Sequence, residues 1–367
     1  MKIVYLMTSC KKSGPIQVVL NIIKNLSQEE FEVILITMYP EKTDSVLDAF
    51  MPFIRAHYFV PTGKLDILLG KDVLLREKLK EINPDIIHST GVFPDYAVSR
   101  IKQYKQMITL HNYMYEDYLA KFGTIKGLIL AYLQMRAVKK ADKVVACSES
   151  LSKIYKEHLN LEFEYIRNGV DVDRYKKATL EEKQDLRLML NMPVNSYIYI
   201  YTGQFIVRKN VGFLLENFAK IFGDVPDVYL ILLGDGPELD GLKLKYKGYE
   251  NIDFRGSVSN VNQYLNASDV YVSTSKSEGM PNGVLEAMAT GLPVILSDIE
   301  QHKEIFFVDS EVGLLYVQGD ANDLCKKLQY MYSEKKLDGE KAYKVAHCEF
   351  NADIMSRKYQ TCYKNIR

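Results

Sequence analysis

Short apolar runs alternate with amphipathic stretches through the first half of the chain. The first run, Met-Lys-Ile-Val-Tyr-Leu-Met-Thr-Ser at 1–9, has the β-branched and aromatic content typical of a buried strand. Strands are predicted at 1–9, 31–38, 57–60, 85–88, 107–111 and 143–147, and helices at 16–26, 65–81, 94–104, 125–140 and 149–158. Strands that alternate with helices predict a parallel sheet covered on both faces, a doubly wound α/β domain.

The pattern resets after the turn Asn168-Gly169-Val170-Asp171, where a charged, strand-poor segment follows. A second series has strands at 197–202, 228–233, 252–254, 269–274 and 293–297, and helices at 180–190, 211–222, 238–245, 261–266, 283–290, 322–332 and 337–348. We therefore predict two Rossmann-like domains, 1–173 and 174–350, facing a central cleft, because ligands of such sheets bind at the carboxyl ends of the strands. An amphipathic helix in 351–367 could lie on either domain by its periodicity.

Composition narrows the class of protein. Lys and Arg together number 47, as do Asp and Glu, so net charge gives no argument for a nucleic-acid partner. The five cysteines are odd in number and include no Cys-x-x-Cys pair, which argues against a disulfide framework and for a reducing compartment. The chain begins on a strand-like run rather than a signal peptide and has no apolar run of about eighteen residues. These features predict a cytoplasmic protein.

The most informative stretch runs from Ser275 to Ala289. A buried strand, 269–274, leads into Glu278-Gly279-Met280-Pro281-Asn282-Gly283, which cannot continue it, and a helix follows with Asn282 as the expected N-cap. Free amides at a helix N-terminus favour a phosphate, and glycines allow close approach. Glu278 and Glu286 flank this site. Since ionised carboxylates only accept hydrogen bonds, they suit the hydroxyls of a sugar nucleotide, whereas each one alone is also compatible with an ordinary turn or solvated helix position.

Glu278 and Glu286 form a Glu-x7-Glu pair, followed by Ala-Met-Ala-x-Gly-x-Pro-Val. This pattern resembles the donor-site signature of the family 4 retaining glycosyltransferases, which have the GT-B fold. The resemblance implies that the terminal helix crosses back to the first domain. It also implies transfer of a sugar from a nucleoside diphosphate donor, expected to be a UDP-sugar, to a growing glycan. The expected setting is a lipid-linked intermediate of bacterial surface polysaccharide.

The resemblance assigns roles to the loop after the strand at 197–202. Lys209 matches the family lysine that holds the donor diphosphate. Gln204 stands where the family commonly has an arginine, and Arg208 is the candidate substitute. A solvated surface position is the alternative for Arg208.

Further donor-site roles follow from the same resemblance. Glu278 is expected to hold hydroxyls of the donor sugar, and Glu286 the ribose. Gly14 matches the glycine loop that faces the donor phosphates, and Val258 is expected against the nucleotide base. The donor loop is completed by Gly279, Met280, Pro281, Asn282 and Gly283.

Two histidines end strands of the first domain. His111 matches the histidine that the family places near the transferred sugar, and we predict that it is catalytic together with Lys209 and Glu278. His88 is expected to be acceptor-side or structural. The other histidines, including His302, have no comparable context.

No Asp-x-Asp cluster occurs at a predicted strand end, because Asp171-Val172-Asp173 lies on the linker. We therefore expect catalysis without a metal and without a cofactor, the nucleotide-sugar being a substrate. Two alternatives stay open: a nucleotide-sugar epimerase of similar fold, and a non-catalytic sugar-nucleotide-binding subunit, which the departure at Gln204 keeps possible.

The helix at 125–140 combines apolar residues with Lys126, Arg136, Lys139 and Lys140. A basic amphipathic helix can lie on a membrane, which would give peripheral contact with the inner face of the cell membrane. The alternative is a helix packed on its sheet with a solvated basic end.

Overall fold

The structure, a computed structural model, describes residues 1–334 and 339–366. The chain forms two compact units: Met1–Gly169 with the segment from Ala352 onward, and Val170–Asn351. The prediction placed these boundaries at 173/174 and 350/351. Part of the helix predicted at 337–348 and the last residue of the 351–367 segment lie outside the described residues.

The first unit is built on a seven-stranded sheet. Its strands are β1 (Lys2–Met7), β2 (Glu32–Thr37), β3 (Ala56–Phe59), β4 (Ile86–Thr90), β5 (Lys105–Leu110), β6 (Lys143–Ala146) and β7 (Glu164–Tyr165). All neighbours pair in parallel, in the order β3-β2-β1-β4-β5-β6-β7. Successive β1 residues face opposite sides, so the two faces of the sheet belong to two separate apolar cores.

Helices cover both faces of this sheet. They are α1 (Gly14–Lys24), α2 (Leu47–Phe50), α3 (Lys64–Leu69), α4 (Val73–Ile82), α5 (Val92–Val98), α6 (Met114–Phe122), α7 (Thr124–Val138) and α8 (Glu149–Leu159). The single helix predicted at 65–81 is wrong: Gly70 adopts φ 76° and ends α3, and α4 starts three residues later. Helix α6 was not predicted from the sequence.

The second unit repeats the plan with a six-stranded parallel sheet. Its strands are β8 (Tyr197–Thr202), β9 (Val228–Leu233), β10 (Ile252–Gly256), β11 (Val270–Ser273), β12 (Val294–Ser297) and β13 (Gly313–Tyr316), in the order β10-β9-β8-β11-β12-β13. Its helices are α9 (Leu180–Met189), α10 (Val211–Phe222), α11 (Leu239–Lys245), α12 (Val261–Asn266), α13 (Asn282–Ala289), α14 (Glu300–Val308), α15 (Ala321–Glu334) and α16 (Glu340–Glu349). Helix α14 and strand β13 were not predicted from the sequence.

The last helix, α17 (Ala352–Asn365), belongs to the first unit. Its Tyr359 and Tyr363 are fully buried in the core that α1 shares, and Ser356 Oγ donates a 2.9 Å hydrogen bond to the Ile22 carbonyl. The prediction that the terminal helix crosses back to the first domain is therefore confirmed, and the alternative placement on the second domain is wrong. The prediction of two doubly wound domains is also confirmed.

In each sheet the strand order reverses at one point, between β1 and β4 in the first and between β8 and β11 in the second. Loops that leave the two flanking strands diverge there, and ligands of open α/β sheets bind in the resulting crevice. Lys209 and Glu278 follow β8 and β11, the two strands that flank this point in the second sheet.

Candidate active site

The loop after β8 and the loop after β11 are joined by hydrogen bonds at the reversal point of the second sheet. Thr274 Oγ1 donates to the carbonyls of Lys209 (3.3 Å) and Asn210 (3.0 Å), and the amide of Lys276 donates to the Arg208 carbonyl (2.8 Å). A short 3₁₀ turn, Val207–Lys209, sets the direction of the basic side chains before α10 begins. The two loops therefore hold each other in place.

Glu278 lies at the centre of this junction. Lys209 Nζ is 2.5 Å from its Oε1, and Arg208 Nη1 is 3.1 Å from its Oε2. Ser275 Oγ donates a third hydrogen bond to Oε1 at 2.6 Å. The predicted catalytic pair Lys209 and Glu278 is thus in direct contact, and Arg208 shares the same carboxylate.

The electrostatics of this cluster follow from its burial. Glu278 is only 7% exposed. Burial alone would raise its pKa, but the charges of Lys209 and Arg208 outweigh burial and lower the pKa of Glu278 to about 2. Burial lowers the pKa of the Lys209 ammonium, and Glu278 opposes that shift. With one carboxylate facing two cations, the cluster has positive charge to spare for an anionic ligand.

Behind Glu278 lies a second group of buried polar residues that sequence reasoning missed. Ser297 Oγ donates to the Ser275 carbonyl at 2.6 Å, and His302 Nδ1 lies 2.9 Å from the Ser297 carbonyl. Burial lowers the pKa of His302 to about 4. The neutral ring therefore donates from Nδ1 and supports the loop that carries Glu278. Nothing in the sequence near His302 signalled this role.

The helix α13 begins at Asn282, so the prediction of Asn282 as N-cap is wrong: Pro281 precedes the first helical residue. A Cβ at Gly283 would lie 2.8 Å from Tyr271 Oη and 2.9 Å from Thr202 Oγ1. Only glycine therefore lets this helix start so close to the end of β8. The N-terminus of α13 lies four residues after Glu278 in the chain, and the amides of Val284 and Leu285 donate to the Pro281 carbonyl at 3.0 and 3.2 Å. The positive end of the helix dipole at this position favours an anionic ligand.

Glu286 lies one helical turn further along α13 and is half-buried. The Tyr175 hydroxyl forms a hydrogen bond with its carboxylate, and burial, followed by the Glu286 charge, raises the pKa of Tyr175. Sequence reasoning had not singled out Tyr175. Neither acidic residue of the Glu-x7-Glu pair points into bulk water.

The remaining predicted donor residues surround this region in different ways. Gly279, Met280 and Pro281 are buried in the loop before α13, and Val258 is half-buried after β10. Gln204 is exposed, and its carbonyl accepts a hydrogen bond from Tyr201 Oη at 2.9 Å. It is Arg208, not Gln204, whose loop position reaches the Glu278 cluster.

In the first unit, a cavity of about 340 Å³ lies at the carboxyl ends of β1, β4 and β5. His111 lines it, with Nε2 3.2 Å from Thr90 Oγ1, and burial lowers the pKa of His111 to about 4. Gly14 starts α1 between two other lining residues, Ser13 and Pro15. Gly14 and His111 therefore belong to the same edge of the first sheet, with His111 neutral near pH 7.

His88 is fully buried, and both of its ring nitrogens have hydrogen-bond partners within the first unit. Nδ1 lies 2.8 Å from Tyr363 Oη and Nε2 lies 2.9 Å from Thr109 Oγ1. Of the two roles that the sequence left open, these contacts favour the structural one. Across residues 1–334 and 339–366, no cluster of His, Cys, Asp or Glu side chains is arranged to hold a metal ion. No helix of that part of the chain has the length and apolar content to cross a bilayer.

Sequence comparisons identify the class to which this fold and site belong. Residues 13–174 match the family model described as Glycosyltransferase Family 4, and residues 196–334 match Glycosyl transferases group 1. The protein is a glycosyltransferase, and each of its two domains matches one of these glycosyltransferase family models. This confirms the predicted enzyme class and favours it over an epimerase.

Individual proteins give the same result. The chain is 27% identical over 375 residues to O-antigen biosynthesis glycosyltransferase WclY of Escherichia coli, which covers 100% of this chain and 99% of that protein. It is 29% identical over 305 residues to UDP-Gal:alpha-D-GlcNAc-diphosphoundecaprenol alpha-1,3-galactosyltransferase of Escherichia coli, with 78% and 76% covered. The solved structure of sucrose-phosphate synthase from Thermosynechococcus elongatus superposes with a TM-score of 0.82 at 20% identity, covering 100% and 99%. That structural likeness concerns the fold, which is GT-B.

Proposed function

We propose that this enzyme transfers a sugar, with retention of its anomeric configuration, from a UDP-sugar to a lipid-linked intermediate of a bacterial surface polysaccharide. Two relatives support the setting by their names: one acts in O-antigen biosynthesis, and the other uses UDP-Gal and a diphosphoundecaprenol-linked sugar. Because a lipid-linked acceptor is held in the membrane, the enzyme in this proposal acts peripherally at the inner face of the cell membrane.

The observation that carries the proposal is the contact of Lys209 and Arg208 with buried Glu278 at the ends of β8 and β11. In this proposal the donor diphosphate accepts hydrogen bonds from both cations and from the first amides of α13. The fixed positive charge stabilises the negative charge that builds on the leaving diphosphate. Glu278 stays ionised and accepts hydrogen bonds from hydroxyls of the donor sugar.

Glu286 takes the ribose in this scheme, with Tyr175 holding its carboxylate in place. His111, neutral at physiological pH, lines the first-domain cavity that we assign to the acceptor side. Retention proceeds on one face of the sugar, and the leaving phosphate takes the proton of the acceptor hydroxyl. No carboxylate is assigned the role of nucleophile.

We further propose that no metal or other cofactor takes part, since Lys209, Arg208 and the α13 N-terminus supply the positive charge at the diphosphate. Turnover should then be unchanged by EDTA and by added Mg²⁺ or Mn²⁺. A loss of activity in EDTA that Mn²⁺ restores would reject this part of the proposal alone.

The direct test is a transfer assay with a panel of radiolabelled UDP-sugars and prenyl-diphosphate-linked N-acetylhexosamine acceptors. We expect label in the lipid fraction for one donor, and an unchanged anomeric configuration by NMR. Conversion of the UDP-sugar in the absence of acceptor would indicate an epimerase. Donor binding without transfer to any acceptor would favour the non-catalytic subunit.

A further inference from the structure

The helix α7 carries large apolar residues on its solvent-facing side as well as on its buried side. Ile125 is 80% exposed, Leu128 46%, Ile129 55% and Tyr132 59%. Their spacing of i, i+3, i+4 and i+7 places them in one stripe along the helix. Large apolar side chains exposed in a continuous stripe mark an interaction site rather than ordinary surface.

The opposite side of α7 is already occupied by the protein. Gly127 allows the backbones of α6 and α7 to meet, since a Cβ there would lie 2.7 Å from the Tyr118 carbonyl oxygen. Leu130, Ala131 and Ala137 are buried on the same side. The helix is therefore packed against the protein, as one of the two interpretations of the sequence expected. The residues of the exposed stripe take no part in this packing.

The charged residues of α7 and of the short segments that flank it are all basic. From 120 to 140 the chain has five basic residues, Lys121, Lys126, Arg136, Lys139 and Lys140, and no acidic residue. Lys126 Nζ lies 5.2 Å from the centre of the Phe122 ring, and the Arg136 guanidinium 5.9 Å from that of Tyr132. Apolar side chains between cations at both ends of a helix complement a bilayer surface with anionic headgroups.

The α6–α7 hairpin also leads to the cavity beside His111. Tyr118 and Lys121 of α6 and Gln134 of α7 line that cavity. Tyr118 Oη donates to Gln134 Oε1 at 2.6 Å, and Lys121 Nζ pairs with Asp117 at 2.7 Å. The same two helices therefore form a wall of the cavity and carry the exposed stripe.

We propose that the outer surface of α6–α7, defined by Phe122, Ile125, Lys126, Leu128, Ile129 and Tyr132, docks on an anionic lipid bilayer. The helix spans about 22 Å, too short to cross a bilayer core, so it lies in the headgroup layer with its stripe facing the acyl chains. A lipid-linked acceptor then reaches the adjoining cavity without leaving the membrane. This last point rests on the proposed function, whereas the docking itself rests on the surface.

Vesicle flotation tests the docking, with phosphatidylcholine vesicles that either contain or lack phosphatidylglycerol. We expect the protein to float with the anionic vesicles and to remain below with neutral ones at physiological salt. Replacing two stripe residues, Ile125→Ser with Ile129→Ser, should weaken vesicle binding at least about tenfold. Replacing Lys126 and Arg136 with Gln should weaken it about fivefold for each cation removed.

A matched control changes two comparably exposed apolar residues of the second unit, Leu180→Ser with Leu188→Ser, on a helix with an acidic first turn. This variant should bind vesicles like the unchanged protein. Equal flotation of the Ile125/Ile129 variant, or no flotation of the unchanged protein on anionic vesicles, would overturn the docking proposal. A dimer in light scattering that the Ile125/Ile129 variant loses would assign the surface to a second copy instead.

A second readout separates this inference from the proposed function. On a water-soluble, short-chain acceptor analogue, the Ile125/Ile129 variant should keep its turnover, because the stripe faces away from the packed core. If the unchanged protein transfers sugar to that analogue but does not bind vesicles, the proposed function stands and the docking proposal is rejected. Vesicle binding without transfer from any UDP-sugar would do the reverse.

Discussion

The ring of His88 and the hydroxyl of Tyr363 meet at 2.8 Å in the core of the first unit, although 275 residues separate them in the chain. Tyr363 Oη also lies 2.5 Å from Tyr5 Oη, and the other ring nitrogen of His88, Nε2, lies 2.9 Å from Thr109 Oγ1. Thr109 Oγ1 in turn lies 3.0 Å from Tyr359 Oη. This chain of buried hydrogen bonds fixes the last helix to three strands of the first sheet.

We predict that Tyr363→Phe destabilises the first unit by about 1–3 kcal/mol, because it leaves buried hydrogen-bonding groups of His88 and Tyr5 without their partner. Urea unfolding measures the loss. The control is Tyr330→Phe on α15, where the side chain is half exposed and little change is expected. Equal stability of Tyr363→Phe and the unchanged protein would show that the network contributes nothing.

Replacing Lys209 tests the donor-site assignment. Lys209→Ala should lower kcat by about 10²–10³-fold or more, because it removes the ammonium that we place at the leaving diphosphate. Transfer kinetics measure it, with circular dichroism to check folding. Lys276→Ala is the matched control, because the Lys276 side chain is exposed and only its backbone amide is bonded to the loop that carries Lys209. Full activity of Lys209→Ala would remove Lys209 from the site.

Replacing Glu278 separates its two proposed roles. Glu278→Gln leaves Lys209 and Arg208 buried without a carboxylate, so we expect a loss of about 3–5 kcal/mol in unfolding free energy. UDP supplies replacement negative charge, so the variant should still be stabilised by UDP in a thermal-shift assay. It should lose the additional stabilisation that the donor sugar gives. A variant that gains equally from UDP-sugar and UDP, when the unchanged protein does not, would support this division.

The pH dependence of the same residue has a defined sign. The folded pKa of Glu278 is about 2, below its ordinary value of 4.5, so its contribution to stability is present above about pH 4.5. That contribution is lost as the pH falls toward 2. Unfolding measured down this range should show a smaller pH slope in Glu278→Gln, and an equal slope would contradict the shift.

The sequence was most informative where local pattern and chemistry coincide. Strands β8 and β9 and helix α10 match the predicted ranges, because buried parallel strands are continuous apolar runs with clear turn residues at their ends. Lys209 and Glu278 were both singled out by motif, and they lie in contact. Predicting this contact requires the order of the strands in the sheet. Local sequence patterns do not reveal that order, because it depends on how distant strands pair.

Other features depended on long-range packing and could not be read locally. The break at Gly70 competes with a helical pattern on both sides, and α6 is a short helix rich in aromatic residues. The sequence leaves Arg208 open between donor binding and a solvated surface position, because the residue it contacts, Glu278, is 70 residues away in the chain. The exposed stripe of α7 is apolar in sequence like the buried side, so only the packing against α6 distinguishes the two.

Gly283 offers a test of how closely α13 must approach β8. A methyl group at this position would lie within 3 Å of Tyr271 Oη and Thr202 Oγ1, so Gly283→Ala should cost about 1–3 kcal/mol of stability and raise KM for the donor. Adding Tyr271→Phe removes one of the two obstructing atoms and should recover part of the loss. Gly241→Ala, where no atom lies within 4 Å of the new Cβ, is the control. An unperturbed Gly283→Ala variant would show that the contact is not limiting.

Asp95 is a buried carboxyl group in α5 whose titration should be visible in the stability of the protein. Its Oδ2 accepts a 2.8 Å hydrogen bond from Gln134 Nε2, whereas Oδ1 has no partner among the residues that the structure describes. Burial raises the pKa of Asp95 to about 7, and hydrogen bonds from Gln134 and Ser89 offset only part of the shift. The folded state therefore favours the protonated form near neutrality.

Because the folded pKa lies above the ordinary value of 3.8, the stabilising contribution of Asp95 is fully present below about pH 4 and is lost as the pH rises toward 7. Asp95→Asn, which stays neutral, should lack this decline and gain about 2–4 kcal/mol relative to the unchanged protein between pH 5 and 8. Urea midpoints measured across that range give the difference. Asp173→Asn, at an exposed site, should run parallel to the unchanged protein. A parallel course for Asp95→Asn as well would mean that Asp95 is already ionised in the folded state at pH 5.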